Sequence, residues 1–291
     1  MIPGSFDYYA PSTLDEAVAL LVKFGDDAKV LAGGQSLIPM MKLRLAEPPQ
    51  LIDINGIGDL SYIKEEDGWL AIGAMTREVD LDESELIKSR YPILHETSRV
   101  IADPLVRNLA TVGGNLAHGD PANDHPATML ALRAELDVQG PSGSRTIAID
   151  DFFVGPLTTA LAPNEILTAV RVPIPLERSG ASYLKLERKV GDFAIAGVAA
   201  AVVLNADGTC AQVGIGLTNA AATPLRAEKA ENSLLGRPLS DDSMGAAADL
   251  AAAESQPTSD HRGSIEYKRA MVREFTVRAL QRAKKRAQGG H

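Results

Sequence analysis

One cysteine, Cys210, is all that the 291 residues carry. A single thiol excludes an intrachain disulfide, and it excludes an iron–sulfur or structural zinc site built on a cysteine cluster. Set in an apolar stretch, Cys210 reads as a small buried hydrophobe. The longest apolar run, Ala194 to Leu204, is too short to span a bilayer. Met1 to Ser5 has neither the basic nor the apolar region of a signal peptide. The expectation is a cytoplasmic protein, associated with the inner face of the membrane where a partner carries it there. Positive charge is also scarce: the net charge is −9, which argues against nucleic acid or an anionic membrane as the main partner. Several chemical signatures are missing as well. No Gly-x-Gly-x-x-Gly opens a helix, no Walker lysine follows a glycine loop, and neither a Gly-x-Ser-x-Gly elbow nor a His-Glu-x-x-His occurs.

What is present is an ordinary apolar content of 45% with 23% charged residues, enough for two or three domains around real cores. Two stretches stand out. Lys29-Val30-Leu31-Ala32-Gly33-Gly34-Gln35-Ser36-Leu37 runs from apolar, strand-like residues through paired glycines to small polar ones. Leu109-Ala110-Thr111-Val112-Gly113-Gly114-Asn115-Leu116 repeats the order. Paired glycines without Cβ allow backbone N–H groups to line a concavity open to an anion, and Ser36, Thr111 and Asn115 add side-chain donors. Either each pair is a plain hairpin turn, or the two are halves of one diphosphate clamp. The clamp is energetically sufficient: charge-assisted hydrogen bonds contribute roughly 1.5–3 kcal/mol each, and micromolar affinity needs about 8 kcal/mol.

Along the chain, Ser12, Thr13 and Glu16 form a capping-box pattern before a helix that Gly25 closes. Strands follow at 30–32 and 51–54, completing a compact αβ unit near Asn55. A hairpin spans Tyr62–Lys64 and Trp69–Ile72 around Glu65-Glu66-Asp67-Gly68. Residues 83–89, 92–102 and a stretch ending at Leu132 read as helices. A second hairpin spans Leu136–Gln139 and Arg145–Ile149, and a strand covers Glu165–Val172. Beyond Pro175 the pattern becomes three strands (183–189, 195–204, 211–217) followed by helices near 224–235, 240–254 and 264–287, which is the grouping of a separate α+β domain. The boundaries expected are 1–55, 56–177 and 178–291.

His118-Gly119-Asp120-Pro121-Ala122-Asn123-Asp124-His125 packs metal-ligand types together, but its spacing matches no zinc or calcium loop. The plain alternative is that Asp120 or Asp124 caps the next helix. Asp124 could otherwise accept hydrogen bonds from whatever the second glycine pair holds. Lys185 sits in a strand where alternation could turn it inward, in need of an anionic partner. Phe193, after Gly191-Asp192, is either core or a flat lid on an aromatic ring. No nucleophile with its base is evident.

Ala32-Gly33-Gly34-Gln35-Ser36-Leu37-Ile38-Pro39-Met40-Met41-Lys42-Leu43-Arg44 resembles the first FAD motif of the medium subunits of molybdenum-containing carbon monoxide dehydrogenases, within the xanthine-oxidase-like molybdenum hydroxylases. Ile101-Ala102-Asp103-Pro104 through Thr111-Val112-Gly113-Gly114-Asn115 and His118-Gly119-Asp120-Pro121 resembles the second, and Lys185 and Gly191-Asp192-Phe193 extend the likeness almost to the last helix. The resemblance implies an α+β fold: two FAD-binding subdomains of the vanillyl-alcohol-oxidase-like type, then a C-terminal domain of a three-stranded sheet and helices. It implies that Ala32, Gly33, Gly34, Gln35, Ser36 and Leu37, with Thr111, Gly114 and Asn115, hold the pyrophosphate and its neighbourhood. Ile101, Ala110, Asn123, Asp124, Leu161, Ile166, Leu167 and Lys185 would line the cofactor, and Phe193 would lie beside the ring. Position 35 alternates between Gln and His in such proteins. No catalytic residue and no metal is implied for this chain. A large molybdenum–pterin subunit would oxidise the substrate, a small subunit with two [2Fe–2S] clusters would relay electrons, and the flavin would pass them to an external acceptor, in a dimer of heterotrimers. The alternatives are a flavin subunit serving an aldehyde or an aromatic heterocycle, a self-sufficient flavin oxidoreductase, and a scaffold whose glycine pairs are only hairpins.

Overall fold

A computed structural model describes residues 2–290. The chain opens with strand β1 (Asp7–Tyr9), helix α1 (Leu14–Phe24), strand β2 (Ala28–Leu31), helix α2 (Leu37–Lys42) and strand β3 (Gln50–Asp53). The three strands form a parallel sheet in the order β1-β3-β2. The capping expectation at α1 holds in detail: the Thr13 hydroxyl accepts from the Glu16 amide, and the Glu16 carboxylate accepts from both the amide and the hydroxyl of Ser12. Ala17, Val18 and Leu21, one face of α1, bury against Ile52, Ile54, Ile57, Leu60, Met75 and Ile166.

A second block follows, with β4 (Ile63–Glu66), β5 (Trp69–Gly73), α3 (Glu78–Glu83), α4 (Glu85–Arg90), α5 (Pro92–Arg99), α6 (Pro104–Arg107), α7 (Val112–His118), α8 (His125–Leu132), β6 (Glu135–Gly140), β7 (Gly143–Ala148), β8 (Phe153–Gly155), β9 (Thr158–Thr159) and β10 (Ile166–Pro173). Its five-stranded sheet is antiparallel throughout, in the order β4-β5-β10-β6-β7, and β8 pairs with β9. Both expected hairpins are present. The helix expected over 83–89 is present as α4, which the Ser84 hydroxyl starts by accepting from the Ile87 amide, and the short α3 that ends at Ser84 is an addition to the expected elements.

The last block is β11 (Ser179–Leu186), β12 (Ala196–Leu204), β13 (Cys210–Thr218), β14 (Leu225–Arg226), α9 (Glu228–Leu234), α10 (Asp241–Glu254) and α11 (Ile265–Ala287). The three strands expected here form, with a fourth, an antiparallel sheet in the order β11-β12-β13-β14. The extra edge strand follows Pro224 and has two residues, Leu225 and Arg226, opposite Leu217 and Gly216, too short to show alternation in sequence. Helices α9 and α11 cover one face of this sheet, with α10 packed on both, and Cys210 is buried in that core; burial pushes its thiol up to about 11.

Helix α8 joins the second and third blocks. It is apolar all round and nearly every residue is buried. On one side it packs in the core of the second sheet, and on the other it lies on β13 at Gly214 and Gly216. A Cβ at Gly216 would stand 1.9 Å from the Ala127 carbonyl oxygen, and one at Gly214 would stand 2.0 Å from that of Ala131. Two glycines on one face of the strand thus let helix backbone rest on sheet backbone. Gly216→Val is expected to destabilise the protein by about 3 kcal/mol through overpacking, whereas Gly245→Ala in α10, where a Cβ meets nothing, gains up to about 1 kcal/mol in helix propensity. Calorimetric melting of the two variants checks both signs. Among the described residues no helix is long and apolar enough to cross a membrane.

Candidate functional site

After β2 the chain turns through Gly33 and Gly34, the latter at φ +72°, into α2. The Ser36 side chain makes no capping bond, and the first amides with helical partners are those of Ile38 and Met40, which donate to Gly34 and Ser36. Among the described residues, the amides of Gly33 through Leu37 are paired with no backbone or side-chain acceptor. These residues are half-buried, and a run of consecutive amides without an internal partner is free to bind an anion.

The second glycine pair differs from expectation. It is the first turn of α7, not a bend between strands. Thr111 caps that helix by accepting from the Gly114 amide (3.1 Å), while the Val112 and Gly113 amides donate to the carbonyls of Thr76 and Ala74. With those donors spent, this half of the proposed clamp offers side chains and close packing instead of amides. Thr111 is buried, and the Asn115 Oδ1 atom is buried with no partner.

The two stretches meet. A Cβ on Gly33 would lie 2.2 Å from the Leu109 carbonyl oxygen and 2.8 Å from the Ala110 Cα, and one on Gly114 would lie 3.6 Å from the Ala32 Cβ. Two residues with no periodic signature in the sequence tie them further. The Arg77 guanidinium donates to the Leu109 carbonyl and to Asn55 Oδ1, and Asn55 Nδ2 donates to the Ala32 carbonyl (2.8 Å).

From the second stretch the site continues inward. Asn123 Nδ2 donates to the Asn115 carbonyl (2.8 Å). Asp124 stands at the start of α8 but makes no capping bond; its Oδ2 receives the Lys185 ammonium at 2.9 Å and its Oδ1 the Tyr183 hydroxyl at 2.6 Å. Asp120 likewise does not cap α8, and instead accepts from the Ala122 amide. Lys185 does face inward, with its side chain only 2% exposed, and also donates to the carbonyl of Val100, the neighbour of Ile101. Burial raises the Asp124 carboxyl above its usual range, against the pull of Lys185 and Tyr183, and burial together with Asp124 raises the Tyr183 phenol well above its own. His125 pairs with Glu78 at 2.8 Å, both fully buried.

The remaining candidates are spread wider. Ile166 and Leu167 are buried on β10, Ile166 in the cluster that Ala32 borders, and Leu161 packs on the core of the second sheet. Phe193 is 48% exposed, on a loop pinned to the molecule. Its Asp192 carboxylate accepts from Arg262 (2.8 Å), whose guanidinium lies 5.9 Å from the Phe193 ring centroid. That hydrogen bond, with the Phe193 amide and Arg188, holds the Asp192 carboxyl down at about 2. Gly191 on the same loop packs against the Ala102 carbonyl, beside Ile101.

The free amides fit an anion, and the orphaned Asn115 oxygen calls for a hydrogen-bond donor on the same ligand. Comparison with known proteins identifies the family. Residues 4–175 match the FAD binding domain in molybdopterin dehydrogenase, and residues 181–283 match the CO dehydrogenase flavoprotein C-terminal domain. The chain belongs to this family of FAD-binding subunits.

The carbon monoxide dehydrogenase medium chain of Afipia carboxidovorans is 49% identical over 288 residues, covering 99% of each chain. A chain of the carbon monoxide dehydrogenase from Hydrogenophaga pseudoflava, in a form lacking the Mo-pyranopterin moiety of the molybdenum cofactor, superposes with a TM-score of 0.96 at 49% identity, over 98% of this chain and 99% of that one. Quinoline 2-oxidoreductase from Pseudomonas putida 86 is more distant at 31% identity, with a TM-score of 0.91 and 99% coverage of both chains. The protein is therefore a flavoprotein subunit of the molybdenum hydroxylase type, and the reading of both glycine pairs as bare hairpins falls.

Proposed function

We propose that this chain is the FAD subunit of an aerobic carbon monoxide dehydrogenase. The observation that carries the substrate is identity near one half along the whole length to a carbon monoxide dehydrogenase medium chain, against 31% to the quinoline enzyme of the same fold. A related molybdenum hydroxylase acting on an aldehyde or an aromatic heterocycle is the second reading, since that fold serves both.

In this reading the Gly33 to Leu37 amides hold the diphosphate, and Thr111, Gly114 and Asn115 close the cradle from the other side. Ala32, Gln35, Ile101, Ala110, Asn123, Asp124, Leu161, Ile166 and Leu167 line the rest of the cofactor. Bound FAD supplies the exchange between one-electron and two-electron carriers. Lys185 brings positive charge to the ring, and Phe193, steadied by the Asp192–Arg262 pair, gives it a flat neighbour. The division of the chain at 55/56 and 177/178 follows the three sheets. With one cysteine, the chain leaves [2Fe–2S] clusters to a small partner subunit and the molybdenum–pterin site to a large one, in a dimer of heterotrimers that delivers electrons to an external acceptor.

The test is the purified complex. It is expected to hold one FAD per copy of this chain, with flavin absorbance bleached anaerobically by carbon monoxide. Bleaching by an aldehyde or a quinoline but not by carbon monoxide would select the second reading.

A further inference from the structure

Next to the Asp124–Lys185 pair lie two hydroxyls to which the proposed function gives no part. Tyr183 is two residues before Lys185 on β11 and so shares its face of the strand. It is 3% exposed, and its hydroxyl donates to Asp124 Oδ1 at 2.6 Å while lying 3.1 Å from the fully buried Thr218 Oγ1 on β13. Between them β12 contributes Gly197, where a Cβ would stand 2.5 Å from the Tyr183 hydroxyl. At its other end the Tyr183 amide donates to Glu96 Oε2 (3.0 Å). Three strands and a helix thus converge to hold one phenol against one carboxylate.

We propose that Tyr183 and Thr218 are positioning residues that keep Asp124 ionised beside Lys185, and so fix how much of the Lys185 charge reaches the flavin. The inference rests on the reading of Lys185 as lining the cofactor. A buried carboxylate is costly to keep charged, and hydrogen bonds to its charged form are what favour that form. Burial already pushes the Asp124 carboxyl upward, with Lys185 and the Tyr183 hydroxyl opposing it. Without the phenol, Asp124 takes up a proton as the pH falls. Its negative charge then no longer offsets Lys185, and the ammonium, left with only the more distant Glu187 carboxylate, favours negative charge on a reduced ring.

The other charged groups around the pair are the same in wild type and in a hydroxyl variant. Glu187 lies 3.6 Å from Lys185 on the same strand. His125, next to Asp124, is paired with Glu78, and Glu96 on α5 is held by Arg282 and Arg286 of α11. A difference between wild type and a hydroxyl variant therefore reports on Asp124.

The experiment is a redox titration of the bound flavin in the holoenzyme across the acid to alkaline range, with FAD content measured for each variant. Tyr183→Phe is expected to raise the flavin potential on the acid side by a tenfold change in the oxidised-to-reduced ratio, about 30 mV for a two-electron couple, and to converge on wild type as the pH rises. Thr218→Val is expected to move it the same way by less. A Tyr183→Phe enzyme with full FAD and wild-type potential at every pH overturns the proposal, and if that variant does not fold, Thr218→Val decides in the same two ways. Lys185→Met separates the layers. With FAD bound and its potential unmoved, the placement of Lys185 at the cofactor fails and the proposal with it. If Lys185→Met shifts the potential while Tyr183→Phe does not, the proposal alone fails.

Discussion

Gly33→Val is expected to abolish flavin retention, with FAD affinity falling about a thousandfold. The glycine's open side does not face a ligand. It faces the other glycine stretch, where a Cβ would sit 2.2 Å from the Leu109 carbonyl oxygen and 2.8 Å from the Ala110 Cα. Both obstacles are backbone, and the Leu109 carbonyl is itself held by Arg77, so neither can give way alone. The first bend would lift off the second, turning the amides of Gly33 to Leu37 away from a common focus. Losing the aim of three such donors, at roughly 1.5 kcal/mol each, accounts for the thousandfold figure. Ser36→Ala makes the contrast, because the Ser36 side chain caps nothing; its effect on affinity should stay within about tenfold, one hydrogen bond's worth. FAD titration of the apoprotein, with circular dichroism to confirm folding, reads both. A folded Gly33→Val protein carrying stoichiometric FAD would contradict the account of how the bends meet.

Asp124→Ala is expected to be the most destabilising substitution at the site. The partner left behind, Lys185, has a side chain 2% exposed and keeps only the Val100 carbonyl and, at 3.6 Å, the Glu187 carboxylate, a longer contact than the 2.9 Å one it loses. Removing one member of a buried ion pair costs about 3–5 kcal/mol, which for a chain of this size lowers the melting temperature by roughly 6–20 °C. Adding Lys185→Met should restore much of the loss, because two neutral groups no longer carry an uncompensated charge. Calorimetry on the two single variants and the double gives the coupling directly. Additive losses would mean that the two side chains do not depend on each other.

How far the sequence could be read depended on whether a feature is local. The capping of α1 needs only Ser12, Thr13 and Glu16 within one turn, and the β4–β5 hairpin needs only a polar Asp67-Gly68 turn and the apolar run of β5 after it, so both were legible. The first glycine bend was legible for the same reason. The second had the same letters but a different structure, because the Thr111 hydroxyl turns the glycines into the start of a helix. Asp124 and Lys185 each stood out as candidates, yet 61 residues separate them and nothing local says they choose each other. Arg77, Asn55 and Tyr183 gave no signal at all. Each acts through contacts with residues distant in the chain, and one polar residue in a loop or strand has no periodicity to betray it. The edge strand at Leu225–Arg226 and the β8–β9 pair were hidden by brevity.

The central claim is that a run of unpaired amides after β2, closed by a helix start some eighty residues later, is where a dinucleotide's phosphates bind. The most direct measurement is a crystal structure of the flavin-loaded protein. The account predicts the diphosphate oxygens within hydrogen-bonding distance of the Gly33 to Leu37 amides, with Thr111 and Asn115 on the opposite wall. Phosphates seated elsewhere, with those five amides facing only water, would contradict it.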